Sequence, residues 1–189
     1  MELLEKMEKA KELLDFALKI QEISRAKLIQ TKDVVVDERV RFQCSFSGCR
    51  EYGKRLMCPP NTPEVEDFRK LLFRYFMAML VQVEGTLTDK ENWLPETDEL
   101  TLKLHEAVYK IEKKAFSLGF PFAAGLIGGP CKLCDKCAGL QNSTCIHREK
   151  ARPSMEGLGI DVMATCKNAG WDLAFSPDKV VWTGLVLLD

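Results

Sequence analysis

Three cysteines stand two residues apart in one short segment, Cys131, Cys134 and Cys137, and a fourth, Cys145, follows after seven intervening residues. Thiolates at this spacing can turn inward from a single tight loop and hold three irons of a cuboidal cluster, while a more distant cysteine completes the coordination. Tetrahedral zinc is the competing chemistry, because it takes cysteine pairs separated by two residues with a second pair elsewhere. Three equally spaced thiols suit iron–sulfur better. The expected cofactor is therefore an iron–sulfur cluster of the four-iron, four-sulfur (4Fe-4S) type, one or two per chain, with zinc as the alternative. Gly128, Gly129 and Pro130 lead into the run and fit a constrained loop whose amides can point at sulfur. A bacterial ferredoxin run continues as C-x3-C-P, whereas here the gap is longer and Ile146 replaces the proline. In two-cluster ferredoxins that fourth cysteine serves the other cluster, so Cys145 is not assigned to the nearer site by proximity, and Cys58, followed by Pro59, is a candidate remote ligand.

A second group, Cys44, Cys49 and Cys58, sits among the turn residues Gly48, Tyr52, Gly53, Pro59 and Pro60. Three thiols there can carry a second cluster whose fourth iron is taken by Cys166, by a non-cysteine residue or by a small molecule. An open iron would be a Lewis acid or a substrate site; structural thiols are the plainer alternative. Cys166 lies in an apolar helical context, where a lone cysteine behaves as a small hydrophobe, and it stays outside the ligand set. His147, two residues after Cys145, can bond to cluster sulfur, ligate metal or simply close the loop. His105, in the middle of a helical stretch, is expected at the surface. Lys54, Arg55 and Arg152 flank the cysteines and can balance thiolate charge or serve as ordinary surface charges. There is no dinucleotide or phosphate-loop signature, and two histidines carry no Ser-His-Asp argument.

The elements that must position these groups follow from periodicity. Leu3, Leu4, Met7, Ala10, Leu14, Leu18 and Ile23 recur at helical spacing with charges between them, which predicts an amphipathic N-terminal helix over residues 1–27 that packs on the core or on a second copy of the chain. Residues 28–36, with Val34, Val35 and Val36, read as a short strand. Thr62 and Pro63 open a predicted helix over residues 63–75. Residues 76–83 are apolar on both alternating sets, as a central strand requires. Thr97 is the predicted cap of a long helix with Leu100, Leu104, Val108, Ile111 and Ala115 on one stripe, ending at Gly119. After an apolar stretch at 121–128 comes the cysteine-rich insert, residues 129–152, then a helix from Ser154 to about 169 and a closing strand over 179–188. Arg152 and Glu156 can pair with each other or with the metal loop. The order predicts an α+β fold, with α/β as the alternative: a small mixed sheet with packed helices, an N-terminal amphipathic helix and a metal-binding insert in one domain, residues 1–189.

Composition narrows the function classes. The 189 residues are 46% hydrophobic, enough for one core, and 27 basic against 28 acidic side chains leave a net charge of −1. No basic field for nucleic acid or anionic lipid is implied. No apolar run approaches the roughly 20 residues of a membrane helix. The N-terminal residues alternate acids and bases, unlike a signal or transit peptide, so a cytoplasmic location is expected, where clustered cysteines bind metal instead of forming disulfides.

Taken together, Cys44, Cys49, Tyr52-Gly53, Cys58-Pro59-Pro60, Gly129-Pro130-Cys131, Cys134, Cys137, Cys145, His147 and Ala151-Arg152-Pro153-Ser154-Met155-Glu156 with Gly159-Ile160-Asp161-Val162 resemble an uncharacterised family of predicted metal-binding proteins, a domain of unknown function, over about residues 34–188. The resemblance implies a cysteine-bound metal of iron–sulfur type and supplies no reaction; Cys166 is not part of its motif. The expected function is a cytoplasmic iron–sulfur protein passing electrons to or from a partner protein. Its rivals are an enzyme with an open iron at Cys44, Cys49 and Cys58, and a zinc-stabilised interaction module.

Overall fold

A strand that is apolar on both faces needs cover on both, and the fold supplies it. The structure is a computed structural model that describes residues 2–89, 91, 93–141, 143–173 and 178–189; Met1 of the expected N-terminal helix and Asn142 of the expected insert lie outside the described residues. In chain order the elements are α1 (Leu3–Ala17), β1 (Arg25–Gln30), α2 (Glu38–Phe46), α3 (Val65–Leu72), β2 (Met77–Thr86), α4 (Leu94–Ser117), β3 (Ala124–Ile127), α5 (Val162–Asn168) and β4 (Lys179–Leu188). Short 3-10 turns occupy Thr31–Asp33, Ala138–Gln141 and Glu156–Leu158.

The four strands form one sheet in the order β1-β2-β4-β3, and all three pairings are antiparallel, so the class is α+β. The apolar runs that read as central and closing strands become its inner pair, registered from Met77 against Leu188 to Thr86 against Lys179. Because successive side chains point to opposite faces, this pair feeds two cores. On one face Met79, Val81, Val83, Val186 and Leu188 pack against Leu104, Val108 and Ile111 of α4 and Ala10, Leu13 and Ala17 of α1. On the other, Ala78, Leu80, Leu185 and Leu187 meet Phe68 and Leu72 of α3 and Met155, Leu158 and Ile160 beyond the cysteine insert. Each fully buried Leu or Ile contributes about 1.5–3 kcal/mol. The cysteine-bearing segments therefore emerge from a body with its own cores. Among the described residues no helix is long and apolar enough to cross a membrane.

Several local expectations are corrected. The first helix stops at Ala17, and Arg25–Gln30 pairs with β2 as an edge strand in place of a helix reaching residue 27 or a strand at 28–36. The pull is tertiary: the backbone of β2 is open on that side until β1 pairs with it. Thr62 does not cap α3, whose N-cap is Glu64; its hydroxyl donates to the Gly157 carbonyl and accepts from Arg41. Thr97 lies inside α4, with its hydroxyl on the Leu94 carbonyl. Ser154 opens no α-helix and its hydroxyl accepts from Gly157 N–H in the 3-10 turn capped by Met155, while Asp161 caps α5 after Gly159 interrupts the chain at φ 84°. His105 is buried, 1% exposed, because the side of α4 beyond the apolar stripe is covered by the end of the insert.

Candidate metal centre

The first cysteine segment is not all loop. Asp37 accepts from the backbone N–H of Arg39 and starts α2. Along this helix Val40, Gln43, Cys44 and Ser47 recur at i, i+3, i+4 and i+7, so one face of α2 forms a wall of a cavity of about 270 Å³. Turns closed by Gly53 N–H to the Pro59 carbonyl (2.9 Å) and Cys58 N–H to the Arg55 carbonyl (3.1 Å) bring Cys49, Glu51, Tyr52 and Cys58 onto the same cavity. Gly129, Pro130, Ser154 and Glu156 close the far side. The lining thus holds three thiols and two carboxyl groups, and none of its residues is Lys, Arg or His. Burial, reinforced by negative charge on Cys49, Glu51, Cys44 and Glu156, pushes the Cys58 thiol up to about 12; burial also raises Cys44. A cup with these donors and no Lys, Arg or His in its lining suits a cation, and a bound metal would displace the thiol protons.

Cys131, Cys134, Cys137 and Cys145 line a second, narrower cavity of about 10 Å³, together with His147, Ile146 and the Arg55-Leu56-Met57 strip of the first segment. Leu56 N–H donates to Cys137 Sγ at 3.5 Å. Arg55 donates to the Cys134 carbonyl (2.7 Å) and to Glu51 (2.8 Å), and Lys132 reaches Glu51 (3.2 Å) and Asp98 (3.3 Å). This charged stitch ties the two cysteine segments together. Burial raises Cys131 first of all, with the neighbouring thiols adding to it, and Cys134 likewise.

The end of the insert is clamped to α4. His105 Nε2 meets the Lys150 carbonyl at 2.8 Å, Lys150 pairs with Glu106 at 2.8 Å, and Arg152 pairs with Glu112. Lys150 and Arg152 both lie over the Tyr109 ring. Arg152 therefore does not pair with Glu156. Glu156 turns instead to the metal loop and accepts from Gly129 N–H at 3.1–3.2 Å. Gly129 has φ 73°, and a Cβ there would come within 2.7 Å of the Trp182 ring, so the entry to the cysteine run needs glycine.

The structure thus brings the seven predicted cysteines together as two groups, with Cys145 beside its neighbours in sequence and Cys58 in the other cavity. Cys166 is fully buried against Gln82 and Thr183 and lines neither cavity. Lys54 lines neither. Sequence reasoning missed Glu51 as the hub of the stitch and Leu56 as a sulfur donor; the four-residue spacing of Glu51 and Arg55 was the available signal for the first, and a backbone donor leaves none. All eight cysteines are free thiols. The donor set, four thiols in one cavity and three with carboxylates in the other, fits a thiophilic metal. Among the described residues no three His, Cys, Asp or Glu side chains converge on one point as ligands of a single ion do.

A family model described as predicted metal-binding protein (DUF2284) matches residues 27–188, which takes in all seven cysteines of the two cavities and leaves α1 outside. No curated protein and no solved structure matches the chain.

Proposed function

The chain belongs to this family of predicted metal-binding proteins, and from that premise we propose that it is a cytoplasmic iron–sulfur protein that passes single electrons to or from a partner protein. The observation that carries the reading is the four-cysteine cavity, lined by the C-x2-C-x2-C thiols and Cys145, with a backbone N–H donating to the sulfur of Cys137. Cys131, Cys134, Cys137 and Cys145 are the residues that would hold one cluster, and Cys44, Cys49 and Cys58 a second. A bound cluster supplies one-electron redox chemistry at a potential tuned by hydrogen bonds to sulfur and by exposure. Around it, Leu56 N–H donates to Cys137 Sγ, and the Arg55 guanidinium sets positive charge beside Cys137 and Cys131. Ile146, on the wall of this cavity and 72% exposed, offers a partner an apolar contact beside the metal. Eight free thiols suit a reducing compartment.

The equal C-x2-C-x2-C spacing of Cys131, Cys134 and Cys137 favours a cluster over one tetrahedral ion. A second reading, structural zinc, is favoured by one observation, the small volume between the four cysteines. Anaerobic purification followed by iron, acid-labile sulfide and zinc analysis separates the two. Iron and sulfide in equal amounts, with reversible bleaching of the visible spectrum by a one-electron reductant, is the expected result; colourless protein carrying zinc alone would sink the proposal.

A further inference from the structure

Glu156 sits on the wall of the three-cysteine cavity in an unusual electrostatic position. Its carboxylate accepts from Gly129 N–H, from Ser154 Oγ (3.0 Å) and from its own backbone N–H, all neutral donors, and no Lys, Arg or His pairs with it among the described residues. Burial is the main influence on it and pushes its carboxyl above the usual range. A half-buried carboxylate with only neutral hydrogen-bond partners, on the wall of a cavity lined by three thiols, is placed to bind a cation.

The other candidates for this position are already engaged. Cys145 belongs to the neighbouring cavity. Cys166 is enclosed with Gln82 and Thr183. Glu51 is neutralised by Arg55 and Lys132. Of the anionic donors lining the cavity besides the three cysteines, Glu156 is the one without a countercharge.

We propose that Glu156 is the fourth ligand of the centre held by Cys44, Cys49 and Cys58, binding as a carboxylate to the iron that has no cysteine. The assignment rests on the iron–sulfur reading. It makes this centre closed: the fourth iron is held by the chain itself and not left for a substrate. It also gives the Ala151-Arg152-Pro153-Ser154-Met155-Glu156 segment a role, since Ser154 and Gly129 aim the carboxylate while Arg152 is anchored on α4.

The test uses the full chain, reconstituted anaerobically with iron-57 and sulfide. In the parent, Mössbauer spectra should contain one iron site in the three-cysteine centre with oxygen coordination among otherwise all-sulfur sites. E156Q keeps an acceptor for Gly129 N–H but loses the anionic ligand. It should lose about one iron of the four in that centre and gain a three-iron signal on oxidation, with the four-cysteine centre unchanged. In E156A, added 2-mercaptoethanol should shift the visible spectrum by taking the vacated position, which a purely structural role would not produce. A parent that takes up no iron and sulfide overturns both the functional reading and this proposal. A loaded parent whose irons are all sulfur-coordinated overturns this proposal alone, whether or not the variants fold, and so does an E156Q protein with the parent's iron content and spectrum.

Discussion

Met57 and Cys58 are consecutive residues that line different cavities, Met57 the one with four cysteines and Cys58 the one with three. Pro130 and Cys131 repeat the relationship from the other side of the molecule's metal-binding face, Pro130 with the three and Cys131 with the four. Two lengths of backbone are thus the partition between the two cavities. They are neighbours that share a wall while each keeps its own thiols.

Separate thiols predict separable metal. Serine in place of Cys131, Cys134, Cys137 or Cys145 should each remove the same part of the iron and of the visible spectrum, and serine at Cys44, Cys49 or Cys58 should each remove the other part. Metal analysis and electron paramagnetic resonance of the seven variants check this. Loss of both parts in every variant would mean one shared centre, and full retention in any group would reduce that group to structural thiols.

Arg55 joins the cysteine segments through Glu51 and the Cys134 carbonyl, with its side chain only 12% exposed. R55A leaves Glu51 with Lys132 alone and the Cys134 carbonyl without this donor. Losing hydrogen bonds made by a charged group should lower the stability of the metal-free protein by about 1–3 kcal/mol, read as a shift of the urea midpoint. R55K keeps the charge but not the fork that serves two acceptors, so it should recover only part of the loss.

His105 predicts a pH dependence outside the metal sites. Burial, the dominant cause, lowers its pKa below the ordinary 6.5, although the Lys150 carbonyl acts in the opposite sense and Arg152 adds to the lowering. With Nε2 committed to that carbonyl, Nδ1 is buried without a partner, so a proton there would be an unsatisfied donor. The unfolded chain takes up the proton at higher pH than the folded one. The contribution to stability is therefore full above about 6.5 and is lost as pH falls through the lower folded value. Urea unfolding of chelated protein at pH 7.5 and 5.5 should show a drop that shrinks in H105Q, which does not titrate; an equal drop in both proteins would refute the assignment.

How much of this was legible in the sequence depends on whether the signal was local. The inner strands were visible because burial on both faces writes a continuous apolar run, and α4 because Leu104, Val108 and Ile111 recur on one stripe. The grouping of the seven cysteines was partly legible from spacing. The helix α2 was not, because none of its residues is buried and its amphipathicity serves a cavity instead of a core. Nor was the burial of His105, which depends on a carbonyl 45 residues away. The Glu156 contact with Gly129 spans 27 residues and depends on a left-handed backbone at Gly129, which the Gly128-Gly129-Pro130 sequence permits without specifying its partner.

Metal and local order should be coupled in the insert while the body stands without metal. Among the described residues, the insert between Gly129 and Arg152 contributes no side chain to the second core and only the partly buried Cys131 to the first, and the cavity between its four cysteines encloses about 10 Å³. A cluster-sized occupant must spread that loop, so the bound arrangement is fixed by ligation more than by packing. What holds the loop without metal is its rim: the Arg55-Glu51-Lys132 stitch at one end and the His105 and Arg152 contacts with α4 at the other. The inner strands, by contrast, are hydrogen-bonded on both sides and packed between two cores. Hydrogen exchange on anaerobically prepared loaded and chelated protein should therefore show protection lost at residues 131–147 and 44–58 on chelation, less change at 149–153 where α4 grips the chain, and almost none in β2 and β4. An insert equally protected with and without metal would show that packing alone orders it, and loss of protection throughout β2 would show that the body, too, depends on the metal.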